Sequence, residues 1–280
     1  MKWQVINFIK WMSLLIFAAL STAVYFEVRD VTKLERFRRS DQPFPMNTKN
    51  PPSRFGLDNL HVSGSSRITQ SSLKNTFSAI THPVYIFDLQ IEPHYFIQGL
   101  PEHWYGYQRS EEIKQSLKGL KIKYVLRRLL KTKKLTHTKM DIQTEKDVVE
   151  NSNFHYIGIT QTRHRIPLKE NVDHIIKILQ TLPPNAWVHF HCSAGQGRTT
   201  IAMVMYDILK NGKKVPLADI VQRAFLQGSE DLFDTTVWKN GTYTKEMLEN
   251  RKSFIVNFYR YVTDPKGLGI QSWKEWIQKQ

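Results

Sequence analysis

The amino-acid sequence predicts an α/β domain built on a central, largely parallel sheet flanked by helices. Three observations predict it. Between Lys169 and Leu182 the apolar residues Val172, Ile175, Ile176, Leu179 and Leu182 recur at helical spacing. After a break at "LPPNA", the apolar run "WVHF" reads as a buried strand. A loop then leads into "TTIAMVMYDILKNG", a largely buried helix closed by Asn211 and Gly212. Helix, strand, loop and helix in that order are what a parallel-sheet domain requires.

Size and composition agree. A chain of 280 residues that is 41% hydrophobic and 12% aromatic can bury a sizeable core, which excludes wholesale disorder. The formal net charge of +15 points to acidic partners: nucleic acid, anionic lipid, a polyanionic metabolite or phosphorylated protein. The single cysteine excludes an intramolecular disulfide, so stability rests on the core.

From the N-terminus, Lys2 and Lys10 precede an uncharged run from Trp11 to Phe26, and Ser21 and Ala23 fit the residues before a signal-peptidase cut. Residues 1–26 are therefore read as a cleaved secretory signal, with an uncleaved membrane anchor as the alternative. Both place Glu27 onward outside the cytoplasm, periplasmic or secreted, and membrane contact is expected only if the segment stays uncleaved. Residues 27–51 mix charges with prolines and read as an extended linker ahead of a domain over 52–280. "LHVSGSSRITQSSLKNTFSAI" suggests a turn around Gly64 and a short helix from Thr69. "PVYIFDLQ" supplies a strand over Val84 to Phe87 ending in Asp88. "IEPHYFIQGLPEHWYGY" is aromatic and turn-rich, with Glu92 and His94 among its ionisable groups. From Ile113 to Met140 there are ten lysines or arginines and no acid, read either as a solvated face or as a surface that steers polyanions; this is a basic insertion over about 105–150. "LADIVQRAFL" and "KEMLENRKSFIVNFYRYV" read as further helices.

The chemistry concentrates in "HFHCSAGQGRTT", residues 189–200. A phosphate dianion needs several converging N–H donors, and a tight loop at a helix N-terminus supplies them together with the positive end of the helix dipole. Ser193, Ala194, Gly195, Gln196, Gly197 and Arg198 are the candidate phosphate-binding residues. Gly195 and Gly197 let the backbone bend and approach the anion. Arg198 can grip two phosphate oxygens at once. The same field favours a thiolate at Cys192, the candidate nucleophile. Thr199 or Thr200 is placed to donate to its sulfur. His191 either orders the loop by hydrogen bonding or packs as a strand-end histidine.

With these residues in place, "HFHCSAGQGRTT" resembles the signature loop of cysteine-dependent phosphatases, and its surroundings are most similar to bacterial protein-tyrosine-phosphatase-like phytases, the inositol polyphosphate phosphatases. "PPSRF" with "LHVSGS", "DLQIEPHYFIQGLPEHWY", "LPPNAWVHFHC" through "MVMYDILKNG", and "FIVNFYRYV" carry the likeness over roughly residues 52–262. The resemblance implies a tyrosine-phosphatase-like sheet core with a small inserted subdomain, a phosphocysteine intermediate, and no metal or organic cofactor. It adds Asp88 to the site, with Gln90 standing where the family has arginine. A gapless count back from Cys192 puts the family's "T-D-H" acid motif on Thr162, Arg163 and His164, so Arg163 replaces the catalytic aspartate. His164 or a neighbouring substrate phosphate is then a substitute proton donor, and Arg163 a further phosphate ligand. The implied substrate is an inositol polyphosphate; phosphotyrosyl protein, or phosphate-ligand binding without turnover, are the alternatives. Nucleic acid is disfavoured as a partner by export and by the absence of interleaved aromatic and basic residues.

Overall fold

The computed structural model describes residues 34–90, 94–97, 100–103, 142–159, 161, 165–239 and 241–280, together with Trp11. A five-stranded sheet forms its centre, in the order β1 (Arg38–Arg39), β2 (Val62–Ser65), β8 (Trp187–His191), β3 (Val84–Asp88) and β7 (His155–Gly158). The last four are parallel to one another, and β1 pairs antiparallel with β2 at the edge. A small antiparallel sheet, β5 (Leu100–His103), β4 (His94–Ile97) and β6 (Ile142–Thr144), flanks residues 104–141, which hold most of the basic stretch and lie outside the described residues.

The helices are α1 (Gln70–Phe77), α2 (Glu145–Glu150), α3 (Lys169–Thr181), α4 (Gly197–Asn211), α5 (Leu217–Leu226), α6 (Lys245–Thr263) and α7 (Trp273–Ile277). Thr69 and Thr144 each close a capping box at the start of α1 and α2, satisfying amide groups that the first turn leaves unpaired. α3 buries the stripe Val172, Ile175, Ile176 and Leu179, as its spacing predicts. No helix among the described residues is long and apolar enough to cross a membrane.

β8 is buried along its whole length, with one core cluster on each face. Val188, Phe190 and Cys192 belong with α3, α4 and α6; Trp187 belongs with Phe77, Ile86 and Val149. Burial on both faces is what a parallel strand under two helix layers experiences. α4 is buried on nearly all sides and packs on β2, β8, α5 and α6. Towards its C-terminal end Asp207 receives Arg223 Nε from α5 at 2.7 Å and Asn211 Nδ2 at 2.8 Å. Arg223, fully buried, also donates to the Ser53 and Phe55 carbonyls at 3.0 and 3.1 Å, tying "PPSRF" to the helices.

Two expectations change. Gly64 lies within β2, paired between β1 and β8, and not in a turn. A Cβ there would stand 2.7 Å from Thr199 Cγ2 of α4, so the glycine permits close helix–sheet packing, where the sequence suggested a bend. Residues 34–40 are part of the fold, not a linker: Arg38 and Arg39 form β1, Ser40 N–H donates to the Val62 carbonyl at 2.9 Å, and Arg38 is buried. β7 and α7 carry no periodic pattern long enough to read; α7 is held by Trp273 and Trp276, which pack on Tyr261.

Candidate active site

The loop from Cys192 to Gln196 leaves the C-terminal end of β8 and enters α4 at Gly197. Ligands in open parallel sheets gather at the carboxyl ends of strands, and the amides at the start of α4 lie at that end here. Gly195 has φ +67°, and a Cβ on it would lie 2.6 Å from the Ser65 carbonyl carbon, so the loop bends against the end of β2 as only glycine allows. Gln196, the residue before the helix, makes no side-chain cap, and within the first turn of α4 the Thr199 amide is directed at Cys192.

Cys192 is buried, and Thr199 Oγ1 donates to its Sγ at 3.2 Å. This settles the choice between the two threonines, because Thr200 Oγ1 turns away to accept from Arg38 Nη2 at 3.2 Å. Burial alone would push the Cys192 thiol up. The Thr199 hydroxyl, the Arg198 charge and the backbone amides of Thr199 and Ala194 outweigh it and hold the thiol below its ordinary value. Arg198 is buried, and its Nη1 donates to the Leu89 and Gln161 carbonyls at 3.0 and 3.1 Å. These two bonds fix the plane of the guanidinium beside the loop.

His191 is the last residue of β8, fully buried, with Nε2 2.6 Å from Glu145 Oε1 at the start of α2. It is a strand-end histidine anchored by a carboxylate, one residue ahead of the nucleophile. Its register partner Asp88 is also buried, accepting from the Gln90 amide and the Tyr156 hydroxyl, each at 2.9 Å. Burial and the Asp88 carboxylate push the Tyr156 hydroxyl up, so it stays a donor. Asp88, Glu145 and His191 each bring a metal-competent atom within 4.8 Å of the others. Two residues back, His189 contacts Ser63 Oγ at 2.9 Å and Ser65 Oγ at 3.0 Å. Burial first, then the charges of His191 and Arg38, hold it well below its usual value, so it is neutral.

On the outer side of the loop, Arg251 Nη1 holds Glu230 Oε2 at 2.5 Å, and the Tyr243 hydroxyl lies against Gly197. The structure thus brings together Cys192, Ser193, Ala194, Gly195, Gln196, Gly197, Arg198, Thr199, His191 and Asp88. Glu92, Arg163 and His164 lie outside the described residues, as does the side chain of His94. Sequence reasoning missed Arg36, Arg38, Glu145, Tyr156 and Arg251. Only Thr144–Glu145, as a helix start, left a local signal.

The arrangement holds a low-lying thiol under converging amides with a fixed guanidinium beside it, a geometry suited to a tetrahedral oxyanion. Comparison with known proteins agrees. A family model described as PTP-like phytase, inositol hexakisphosphate, matches residues 112–210. A PTP-like phytase from Bdellovibrio bacteriovorus is 30% identical, with a TM-score of 0.64 over 88% of this chain and 90% of that one. A PTP-like myo-inositol phosphatase from Mitsuokella multacida, solved with myo-inositol-(1,3,4,5)-tetrakisphosphate, is 28% identical, with a TM-score of 0.68 over 88% of this chain and 47% of that one. The effector protein hopD2 of Pseudomonas syringae pv. tomato is 28% identical over 80% of this chain and 53% of its own length. The chain spans about half the length of the last two.

Proposed function

This chain belongs to the protein-tyrosine-phosphatase-like phytase family, and on that premise we propose that it is a cysteine-dependent phosphomonoester hydrolase acting on inositol polyphosphates. The observation that carries the proposal is the Thr199–Cys192–Arg198 geometry, in which a buried thiol is held low beside a fixed guanidinium. In the first step the Cys192 thiolate attacks phosphorus in line. The sulfur–phosphorus bond forms as the ester oxygen leaves with the bonding pair and takes a proton from His164 or from a neighbouring phosphate of the substrate. The loop amides and Arg198 hold the three equatorial oxygens throughout. In the second step water attacks phosphorus and gives its proton to the group that donated in the first, the phosphorus–sulfur bond breaks with the bonding pair going to sulfur, and inorganic phosphate leaves. Thr199 donates to the thiolate as it departs, making it a better leaving group.

The inositol-phosphate complex of the Mitsuokella protein and the basic composition support a polyanionic substrate. The proposal includes the N-terminal segment up to about residue 26, the basic insertion and export past that segment; bacterial effectors and phytases among the relatives support the last. A second reading, binding of phosphorylated ligands without turnover, is favoured by Arg163 at the family's acid position. A lost general acid costs on the order of 10²- to 10⁴-fold when an alkoxide leaves, and less for an aryl oxide.

The deciding experiment is phosphate release by the full chain and by Cys192→Ser on inositol hexakisphosphate and p-nitrophenyl phosphate. Release from both by the wild type, absent in the variant, is expected. Cleavage of the aryl ester alone would favour the second reading or an aryl substrate. No Cys192-dependent release from either would overturn the enzyme.

A further inference from the structure

We propose that Arg36 and Arg38, on the segment ahead of β2, are positioning residues of the phosphate loop, holding its carbonyls outward so that its amides face the anion. The inference rests on the reading of this loop as a phosphate site. For successive amides to converge on one anion, the intervening carbonyls must turn to the other side, where they need donors of their own. Arg36 Nη1 donates to the Ala194 carbonyl at 2.7 Å, and Arg38 Nη1 donates to the Gly195 carbonyl at 2.8 Å. These are consecutive residues in the tightest part of the loop.

The arm is built for this reach. β1 sets Arg38 opposite Gly64, on the strand next to β8, and Arg36 adopts φ +51°, a left-handed conformation that turns the chain just before the strand. The Arg36 carbonyl accepts from Arg38 Nη1 at 3.1 Å, which couples the two arginines to one another.

Arg38 is 2% exposed. Its other donors go to Ser229 Oγ at 2.8 Å and Thr200 Oγ1 at 3.2 Å, so every acceptor it takes is neutral. A buried guanidinium ordinarily takes a carboxylate, as Arg223 does with Asp207. Arg38 instead keeps its charge directed at the loop. Burial lowers its pKa to about 10; the charge of Cys192, and after it the Glu230 carboxylate that Arg251 holds, oppose that fall, while Arg36 adds to it. Two effects follow: the loop's amide cradle is held open, and positive potential is added behind it.

Cys192 is the sole cysteine, so alkylation of the full chain by iodoacetamide reads this thiol alone. The test follows alkylation against pH, its suppression by inorganic phosphate, and phosphate release, for wild type, Arg38→Met, Arg38→Lys and Arg36→Gln. Arg38→Met is expected to raise the alkylation midpoint, weaken phosphate protection, and lower kcat/KM by roughly tenfold to a hundredfold, as misplacement of a reacting geometry does. Arg38→Lys is expected to restore the midpoint while leaving phosphate protection weak, because one ammonium nitrogen cannot span the acceptors that Nε, Nη1 and Nη2 reach separately on Ser229, Gly195 and Thr200. Arg36→Gln, at an exposed side chain, is expected to fold normally and weaken phosphate protection by roughly two- to threefold, about half a kcal/mol, a small fraction of a charged hydrogen bond.

A folded Arg38→Met chain with wild-type midpoint and protection would overturn the proposal. If Arg38→Met does not fold, unchanged phosphate protection in Arg36→Gln overturns it. Phosphate that fails to slow alkylation of the wild type would instead sink the phosphate-loop reading, and this inference with it.

Discussion

The two ends of α4 use buried arginines in opposite ways. Near its C-terminal end, Arg223 meets the Asp207 carboxylate through two nitrogens, and Asn211 completes the set. At its N-terminal end, Arg38 donates to carbonyls and hydroxyls: Arg36, Gly195, Ser229 and Thr200. A guanidinium whose anion is supplied by the chain is a fastening between α4, α5 and "PPSRF". A guanidinium fixed by neutral acceptors keeps its field for an anion from outside. Burial and residue type are the same; the acceptors decide the role.

If this contrast is right, substitutions at the two ends should separate stability from chemistry. The largest effect is expected for Arg223→Met, which strands the Asp207 carboxylate in the core and should cost about 3–5 kcal/mol of stability. Denaturant unfolding measures that loss, while the alkylation midpoint of Cys192 in the remaining folded chain stays put. A shifted midpoint would erase the distinction between the ends. Next is Arg198→Lys, which keeps the charge but loses the fork: kcat/KM should fall by roughly 10²- to 10³-fold, as for loss of one oxyanion donor. Its thermal midpoint should stay close to wild type, and a large drop would make Arg198 a second fastening.

The smallest is Thr199→Val. A hydrogen bond to a charged acceptor is worth about 1.5–3 kcal/mol, so the thiol midpoint should rise by about one pH unit or more. The direction follows from losing a donor to the thiolate. Because the folded thiol is depressed, it contributes stability that is present above the unfolded thiol's range and is lost as pH falls through the folded value; the valine variant should narrow that window. A pH series of unfolding curves would show it, and superimposable curves would mean that Thr199 does not hold the sulfur in solution.

The site was legible where its chemistry is local. Cys192, Arg198 and Thr199 fall within eight residues, with a strand before and a helix after, and the pattern carries the role. Arg38 reaches Gly195 across 157 residues, and "RFRRS" offers neither period nor cap, so no sequence rule connects the two. Gly64 misled for a related reason. Glycine marks a turn when only its own backbone is considered, whereas here its meaning comes from Thr199 on a helix far along the chain. For His191 the sequence left two roles open, ordering the loop or packing at the strand end; its carboxylate partner Glu145 comes from α2, within the stretch read as the insertion, where no local pattern joins the two. The parallel order of strands followed from alternating elements; β1 and β7 did not, because short strands carry too few residues for alternation to register.

The central place of β8 also has a kinetic consequence. Ser63 on β2 and His189 on β8 lie 126 residues apart, and parallel pairing at such separation must close a long stretch of chain before any contact repays it. The nucleophile's loop hangs from that strand and is braced by the arm at residues 34–40, so it takes shape only when both ends of the domain have met. Recovery of thiol reactivity after dilution from denaturant should therefore track the slowest refolding phase, with no reactive species accumulating ahead of it. The chain acquires its chemistry last, as a property of the finished sheet.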